Sequence, residues 1–282
     1  MSHAVTTEPP SADSGKWSLI TVTYNSAEVL ASSWSGVDLT DVHWIVVDNN
    51  SSDDSVRVAE KLGAEVISRQ DNAGFSSSNN LALAQVDTTW TAFVNPDVTL
   101  DAGSLGRLGE LCIANNAFVA PQLRYPSGEQ QANARGLPTP AAKLSHRGAR
   151  IPGVNGADYA RTHMESPTFV AWLMGAAVCG RTSDFKRIGG WNDDYFIYYE
   201  DHEMGLRAWQ SGMSVVLDPH TSWIHQWQRE TTTLSRSAWA AEFNSAKTFY
   251  RAFPDLLTAG RASRSPRFDR LISSLWKEAK DV

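Results

Sequence analysis

The chain has 282 residues, of which 42% are hydrophobic and 20% are charged, so it can bury a core and is not intrinsically disordered. Its net charge of -6 disfavours general binding to nucleic acid, and the absence of a run of about 18 apolar residues excludes a predicted membrane-spanning helix. The two cysteines lie far apart in apolar runs, which argues against a zinc cluster or a disulfide framework and favours a reducing cytoplasm.

The first hundred residues alternate between apolar runs and helical patterns. After a polar tail at 1–15, strands are predicted at 17–22, 42–47, 64–67 and 90–94, with helices between them at 27–34, 54–62 and 77–85. This alternation favours βαβ units in a mostly parallel sheet. Ligands of such sheets bind beyond the carboxyl ends of the strands, and three of these four strands end in polar clusters.

The second half of the chain is less regular. Strands are predicted at 117–123, within 168–180 and at 213–217, and helices at 183–188, 201–211 and 235–253. Residues 126–167 are rich in Gly, Pro, Ala and Arg and show weak periodicity. They are predicted to form a long loop, which in a compact domain is typical of a functional or mobile segment.

Polar clusters follow the second and third predicted strands, at 47–53 and 72–80. A carboxylate such as Asp48 at a strand end can accept a hydrogen bond from the N3–H of a pyrimidine or from a ribose hydroxyl. Ser52 or Asp53 can also cap the next helix, and both interpretations can hold because the cap lies downstream of Asp48. The second cluster offers small residues and backbone N–H groups at a helix start, which suits an anion or a ribose.

Two further sites carry residue types that bind metals and phosphates. The fourth strand ends in Asn95-Pro96-Asp97, and Mg²⁺ prefers one or two carboxylates together with substrate phosphates. An ordinary proline turn with an exposed Asp97 is the alternative. Near the end of the domain, His225 is a candidate metal ligand and Arg229 a candidate phosphate partner, although a single histidine is more often structural.

An acidic pair follows an aromatic run. Residues 195–199 lead into Glu200 and Asp201, and an aspartate in such a position could act as a general base. The alternatives are that Asp201 caps the next helix and that Arg207 pairs with Glu203 four residues earlier.

The order and spacing of these clusters resemble the family 2 glycosyltransferases, which have the GT-A fold. The resemblance covers well over half of the chain. Its matching features are residues 21–25 (TVTYN), 47–53 (VDNNSSD), 72–75 (NAGF) with Asn79 and Asn80, 95–97 (NPD), Gly175, 189–191 (GGW), Tyr195 and Phe196, Glu200 and Asp201 with Arg207, and His225.

The resemblance implies an α/β protein with a Rossmann-like, mostly parallel central sheet, flanking helices and a C-terminal helical extension. It divides the chain into a tail (1–15), a GT-A glycosyltransferase domain (16–255) and a basic amphipathic C-terminal helix (256–282). Within the domain, 16–124 form the nucleotide-sugar-binding half and 125–255 the acceptor and catalytic half.

The resemblance also implies roles for single residues. Asp48 reads the pyrimidine base, Asp201 is the catalytic base beside Glu200, and Asp97 and His225 bind Mg²⁺ or Mn²⁺. The substrate-binding residues that it implies are Thr23, Tyr24, Asn25, Asp48, Asn50, Gly74, Phe75, Asn79, Asn95, Trp172, Arg207 and Arg229.

The NPD form and the stretch at 134–138 resemble bacterial rhamnosyltransferases in particular. The implied reaction is inverting transfer of L-rhamnose from dTDP-L-rhamnose to a glycan or a polyprenyl-diphosphate-linked sugar in cell-envelope polysaccharide synthesis. The alternatives are another donor, such as a UDP-sugar, and a catalytically weakened nucleotide-sugar-binding protein on the same fold. Asn95, which replaces the first aspartate of the usual DxD motif, supports the latter and predicts weaker metal binding. A Rossmann oxidoreductase is disfavoured because no GxGxxG sequence occurs.

The end of the chain differs from the rest in charge. Residues 260–282 carry a net charge of +3 and the remainder of the chain carries -9. The apolar residues between 267 and 280 fall mostly on one helical face with basic residues at its flanks. This pattern fits a helix that packs on the domain or mediates a dimer, with its charges solvated. It also fits a basic helix that makes peripheral contact with the inner face of the cell membrane through 261–280.

Overall fold

The structure is a computed structural model that describes residues 16–226 and 236–282. Its first half consists of four parallel strands, in the order β3-β2-β1-β4, with helices between them. The predicted alternation is confirmed, because continuous apolar runs suit strands that are covered on both faces. The elements are β1 Trp17–Thr23, α1 Ala27–Trp34, β2 Val42–Asp48, α2 Ser55–Lys61, β3 Glu65–Ser68, α3 Gly74–Gln85 and β4 Trp90–Val94.

The second half extends this sheet. Its elements are β5 Val98–Thr99, α4 Leu105–Asn115, β6 Ala117–Arg124, β7 Ala134–Arg135, α5 Pro140–His146, β8 Thr168–Phe169, β9 Trp172–Leu173, β10 Ala177–Arg181, α6 Thr182–Arg187, α7 Glu200–Gln210, β11 Ser214–His225 and α8 Arg236–Ala252. Strand β10 runs antiparallel between β4 and β6, β11 lies parallel to β6, and β5 and β8 pair with β11. This is the mixed, mostly parallel α/β architecture that was predicted.

Residues 126–167 are not one loop, which corrects the prediction for this segment. Strand β7 pairs with β9 in a separate two-stranded sheet, and α5 follows. Helix α5 begins here because the Thr139 side chain accepts a hydrogen bond from the Ala142 N–H at 3.2 Å and Pro140 occupies the first helical position.

Aromatic side chains dominate the core on both faces of the sheet. Trp34 and Trp44 stack at 4.0 Å on one face, and Phe118 and Phe185 stack at 4.2 Å on the other. Cys112 and Cys179 are both free and buried, as expected for a chain without a disulfide framework.

The C-terminal segment is not the single helix that the sequence predicts. It contains two short helices, α9 Ala259–Ala262 and α10 Asp269–Ser274. Pro266 separates them, because proline cannot continue a preceding helix, and Trp276 adopts a left-handed φ of 64° shortly after α10.

The apolar side chains of this segment face the protein. Phe268 and Leu271 are at most 1% exposed. The last residues are held by backbone hydrogen bonds, from the Trp276 N–H to Phe169 O at 2.8 Å and from the Ala279 N–H to Pro167 O at 2.7 Å. The apolar face of this segment is therefore used for packing on the domain, as the packing interpretation predicts. Among the described residues, no helix combines the length and the apolar character that crossing a membrane requires.

One prediction concerns the contact between α7 and β9. A Cβ atom on Gly205 would lie 2.5 Å from Trp172 Cβ and 2.7 Å from Ala171 O, and neither atom can move without shifting a strand. We expect Gly205→Ala to lower the free energy of unfolding by roughly 1–3 kcal/mol. Gly106→Ala is the matched control in α4, since its Cβ would meet nothing within 4 Å, and it should be neutral or stabilising by up to about 1 kcal/mol. Thermal unfolding of both variants tests this, and equal midpoints would contradict it.

Candidate active site

Two buried polar side chains lie side by side at the carboxyl edge of the sheet. Thr23 ends β1 and Asp48 ends β2, and the two are register partners on these parallel strands. Asp48 Oδ2 accepts a hydrogen bond from the Ser51 N–H at 3.0 Å. Within the described residues, Thr23 Oγ1 and Asp48 Oδ1 are buried without a hydrogen-bond partner. A buried polar pair of this kind is suited to hydrogen bonding with a ligand.

The turns beyond these strands are tied to each other. Asn25 and Asn50 adopt left-handed φ values of 50° and 63°, which asparagine tolerates better than most residues. The Asn25 side-chain oxygen accepts from the Ser52 N–H at 2.8 Å, and the Asn25 N–H donates to Ser51 Oγ at 2.8 Å. Tyr24 is exposed on the same edge. Asn25 and Asn50 therefore shape the rim of the pocket.

Asp53 binds the starts of two helices without occupying an N-cap position. Asp53 Oδ1 accepts from the Ser55 N–H at 3.0 Å, at the start of α2, and Asp53 Oδ2 accepts from the Ala27 N–H at 3.0 Å, at the start of α1. The N-cap residue of α2 is Asp54, whose side chain makes no capping hydrogen bond. Asp48 takes no part in these contacts.

Gly74, in the second polar cluster (72–80), joins the two halves of the domain. Gly74 has a φ of 82°, and a Cβ on it would lie 2.5 Å from Phe196 O. The Phe75 N–H donates to that same oxygen at 2.9 Å, and the Asn49 amide donates to Gly74 O at 3.1 Å. Asn79 is buried and donates to Phe75 O at 3.0 Å. These contacts give Gly74, Phe75 and Asn79 internal bonding roles that hold the loop in place.

The structure brings Asp97 and His225 together. His225 is the register partner of Val98, so the end of β11 lies beside the turn that carries Asp97. Asp97 Oδ2 lies 3.3 Å from His225 Nε2. Gln131 Nε2 donates to His225 O at 2.9 Å, which directs Gln131 Oε1 to His225 Nδ1 at 2.8 Å. Because Gln131 Oε1 can only accept, the proton lies on Nδ1 and the Nε2 atom faces Asp97.

Gln131 is itself fixed by buried amides. Gln122 Nε2 donates to Gln131 O at 2.6 Å and to Asn133 Oδ1 at 3.0 Å, and the Asn133 amide donates to Pro121 O at 2.9 Å. The sequence interpretation missed these three residues. Their only signal is that three amide side chains fall close together at the start of an irregular segment.

These residues fit a divalent cation that is shared with a substrate. Asp97 supplies a carboxylate oxygen and His225 an imidazole nitrogen whose second nitrogen is held by Gln131, as is usual for a metal-binding histidine. Asn95 adds no charge. Across 16–226 and 236–282, no group of three or more His, Cys, Asp or Glu residues converges in a way that could hold a metal. Substrate phosphates would have to complete the coordination. Arg229 lies outside the described residues.

The acidic pair lies in the first turn of α7, where the helix dipole favours negative charge. Asp201 Oδ1 accepts from the His202 N–H at 2.8 Å and from His202 Nδ1 at 2.6 Å, whereas Asp201 Oδ2 faces the Gly175 N–H at 3.4 Å. Burial opposes ionisation of Asp201, but its interaction with His202 outweighs burial and holds the pKa of the carboxyl below its usual range.

Glu200 differs sharply from its neighbour. It is buried, and Glu200 Oε2 has no hydrogen-bond partner among the described residues. Burial, together with the charge of Asp201, raises the pKa of the Glu200 carboxyl well above its usual range. The pKa values of the two carboxyls are therefore shifted in opposite directions, and Asp201 is the more acidic of the two. The residue at the N-cap of α7 is Tyr199, so Asp201 does not cap the helix.

The aromatic residues before the acidic pair hold the backbone turn that precedes α7. Tyr198 and Tyr199 adopt left-handed φ values of 71° and 68°, which are costly for residues with bulky side chains. The Tyr199 ring packs 4.7 Å from His202 and 5.2 Å from Phe249. This packing holds the turn that directs Asp201 towards Gly175.

A turn before β10 lies between Asp201 and the turn 95–97. The Gly175 N–H faces Asp201 Oδ2, and the next residue, Ala176, accepts from the Asn95 N–H at 2.9 Å. Asp201 and the turn 95–97 therefore both contact the turn at residues 175 and 176, although they are far apart in sequence.

Arg207 and Trp172 are used inside the protein, which corrects their assignment to substrate binding. Arg207 pairs with Glu203 at 2.8 Å, as the alternative predicts, and donates to Gly190 O at 2.8 Å. Trp172 is 5% exposed and stacks on His202 at 3.6 Å. Both residues position the elements that carry the acidic pair.

Comparisons with known proteins agree with this arrangement. The chain is 25% identical over 255 residues to "N-acetylglucosaminyl-diphospho-decaprenol L-rhamnosyltransferase" of Mycobacterium tuberculosis, with 82% of each chain covered. It is 23% identical over 259 residues to "Low-salt glycan biosynthesis hexosyltransferase Agl10" of Haloferax volcanii, with 90% of this chain and 78% of the relative covered.

A solved structure of GalNAc-T7 with UDP, GalNAc and Mn²⁺ matches with a TM-score of 0.60 at 14% identity, which shows the shared fold. The match covers 92% of this chain and 54% of that chain, so this protein spans about half the length of that structure. Residues 18–172, more than half of the chain, match the family described as Glycosyl transferase family 2, and the chain is a glycosyltransferase that belongs to this family.

Proposed function

We propose that the protein is an inverting transferase that moves L-rhamnose from dTDP-L-rhamnose to a glycan or a polyprenyl-diphosphate-linked sugar in cell-envelope polysaccharide synthesis. A pyrimidine nucleotide as donor is supported by Thr23 and Asp48, the buried pair at the carboxyl edge of the sheet. Thymine and uracil present an N3–H between two carbonyl oxygens. Asp48 Oδ1 can accept from the N3–H while the Thr23 hydroxyl donates to a carbonyl, which leaves neither atom unpaired.

The acidic pair supports inversion. As the acceptor oxygen bonds to the anomeric carbon, its proton passes to Asp201 Oδ2, and the bond to the diphosphate breaks with its electron pair leaving on the diphosphate oxygen. The two-carboxylate retaining scheme needs a second carboxylate as nucleophile. Burial raises the pKa of the Glu200 carboxyl, whereas the contacts with His202 hold the pKa of the Asp201 carboxyl below its usual range, which supports Asp201 as a single base.

In the proposed reaction the leaving diphosphate gathers negative charge beside the turn 95–97, across the turn at Gly175 from Asp201. Asp97 and His225 would hold Mg²⁺ or Mn²⁺ there, and a bound cation of this kind neutralises charge on a leaving phosphate. The Mn²⁺ in the GalNAc-T7 structure supports a cation on this fold. Because the protein offers one carboxylate and one imidazole, we expect the cation to bind together with the donor.

The proposed donor sugar and acceptor are supported by the name of a relative. The name of the mycobacterial relative contains both L-rhamnose and a diphospho-decaprenol-linked acceptor, whereas the haloarchaeal relative is named a hexosyltransferase. A hexose donor is therefore the second candidate. Transfer assays with dTDP-L-rhamnose, UDP-glucose and UDP-N-acetylglucosamine decide between them, and turnover of a UDP-hexose alone would overturn the rhamnose proposal. A binding protein without catalysis is disfavoured because the site keeps an ionised base.

The prediction for the base pocket concerns Asp48→Ala. We expect dTDP and UDP to raise the thermal midpoint of the wild-type protein more than GDP does, since ligands that bind only the native state stabilise it. In Asp48→Ala the affinity for dTDP and UDP should fall about 10-fold, because a hydrogen bond to a charged acceptor is lost. Asp87→Ala, an exposed change at the opposite edge of the sheet, is the control. Equal losses for GDP and dTDP would contradict base recognition by Asp48.

A further inference from the structure

His202 is the residue immediately after the proposed base, and it is buried among aromatic rings and charged groups. Its imidazole stacks on Trp172 at 3.6 Å and on Tyr199 at 4.7 Å. Its Nδ1 atom lies 2.6 Å from Asp201 Oδ1 and its Nε2 atom lies 3.4 Å from Lys143 Nζ. Nothing in the reaction described above uses His202 or Lys143.

These contacts fix which nitrogen of His202 carries a proton. A lysine ammonium can only donate, so Lys143 donates to Nε2, and Nδ1 carries the proton that is donated to Asp201. Burial lowers the pKa of His202 to about 4, so the imidazole is neutral at neutral pH. Burial also lowers the pKa of Lys143 to about 8, so the lysine remains mostly charged under the same conditions.

Lys143 is an unusual cation because of what surrounds it. Its Nζ atom lies 3.8 Å from the centre of the Tyr199 ring, and none of the ion pairs formed within 16–226 and 236–282 includes it. Arg147, one turn further along α5, does pair, with Glu242 at 3.0 Å. The Lys143 side chain is half-buried. Withdrawing an ammonium from water without an acidic partner costs free energy, which indicates that the position next to His202 has a purpose.

We propose that Lys143 and His202 form a positioning relay that holds Asp201 Oδ1 and leaves Asp201 Oδ2 to accept the proton of the acceptor. The proposal rests on the role of Asp201 in the proposed function. Asp201 Oδ1 already receives two hydrogen bonds from His202, whereas Oδ2 has one long contact, to the Gly175 N–H. The relay moves no proton itself. It holds the Asp201 carboxylate in one orientation. Trp172 and Tyr199 hold His202 in place by stacking on its ring.

Two substitutions of His202 separate its hydrogen bond from its packing. His202→Phe keeps a ring between Trp172 and Tyr199 but removes the donor, and it should lower kcat about 10- to 100-fold with little change in the KM for the donor. His202→Asn places an amide N–H where Nδ1 was and should recover most of that loss. A second pair tests the other end of the relay, with Lys143→Met expected to lower kcat and Lys143→Arg to restore it.

A double-mutant cycle tests whether the relay acts through the base. In the Asp201→Asn background, His202→Phe should cost no further activity, because the group that it positions is gone. Thermal midpoints of all variants report folding, and Lys143→Met keeps the test decisive if His202→Phe does not fold.

The outcomes separate the two proposals. Near wild-type kcat in folded His202→Phe or Lys143→Met, equal losses in His202→Phe and His202→Asn, or additive losses with Asp201→Asn would each overturn the relay while the proposed function stands. Near wild-type turnover in Asp201→Asn would overturn the base and the relay together.

Discussion

Asp201→Asn is expected to lower the rate of sugar transfer by about 10²-fold or more while folding and donor binding are retained. Asparagine keeps the shape of the side chain and an oxygen that can accept the hydrogen bonds of His202, but it cannot take a proton from the acceptor. The loss should therefore appear in kcat, measured as product formed from dTDP-L-rhamnose, and not in the affinity for dTDP, measured by calorimetry.

The neighbouring acid offers a matched comparison. Burial and the charge of Asp201 raise the pKa of the Glu200 carboxyl, and Glu200→Gln keeps the shape of this side chain. We expect a much smaller loss of kcat than in Asp201→Asn. Similar losses in both variants, or near wild-type turnover in Asp201→Asn, would show that Asp201 is not the base.

The second large effect is expected at the turn 95–97. Asn95 is already neutral, so Asp97→Asn removes the last carboxylate from this turn. We expect it to abolish stimulation by Mn²⁺ or Mg²⁺ and to lower kcat about 10²-fold, since charge on the leaving diphosphate is no longer neutralised. His225→Ala should act in the same direction. Transfer in excess chelator, followed by addition of metal, measures the stimulation.

A gain-of-function change provides the control for this turn. Asn95→Asp restores the usual DxD pattern and should tighten Mn²⁺ binding, because it adds an anionic oxygen beside Asp97. The increase in thermal midpoint on adding Mn²⁺ with dTDP reports binding independently of activity. If wild-type activity in excess chelator equals activity with metal, Asp97 and His225 do not hold a catalytic cation.

The sequence was sufficient to predict the first half of the fold. Strands β1, β2 and β4 are largely apolar runs that end in polar residues, and this local pattern also located Asp48 and Asp97 at one edge of the sheet. The side chains that orient the reactive groups were not predictable in this way. Gln131 binds His225 and Lys143 binds His202 across long separations in the chain, and no periodicity links such partners.

The prediction of a single C-terminal helix was wrong for a different reason. Helical periodicity shows that apolar residues share a face, but it does not show what covers that face. Here Phe268 and Leu271 pack into the domain, and Pro266 limits the helix to a short piece. The same ambiguity affected Arg207, whose charge suits a phosphate as well as the carboxylate of Glu203 that it actually binds.

One segment outside the central sheet supports both reactive centres. Gln131, behind the imidazole of His225, and Lys143, behind the imidazole of His202, both belong to residues 126–167. Insertions or exchanges in this segment are therefore expected to change the catalytic rate. An engineer who replaces it with the corresponding segment of a relative would have to keep an amide and an ammonium group at these two positions.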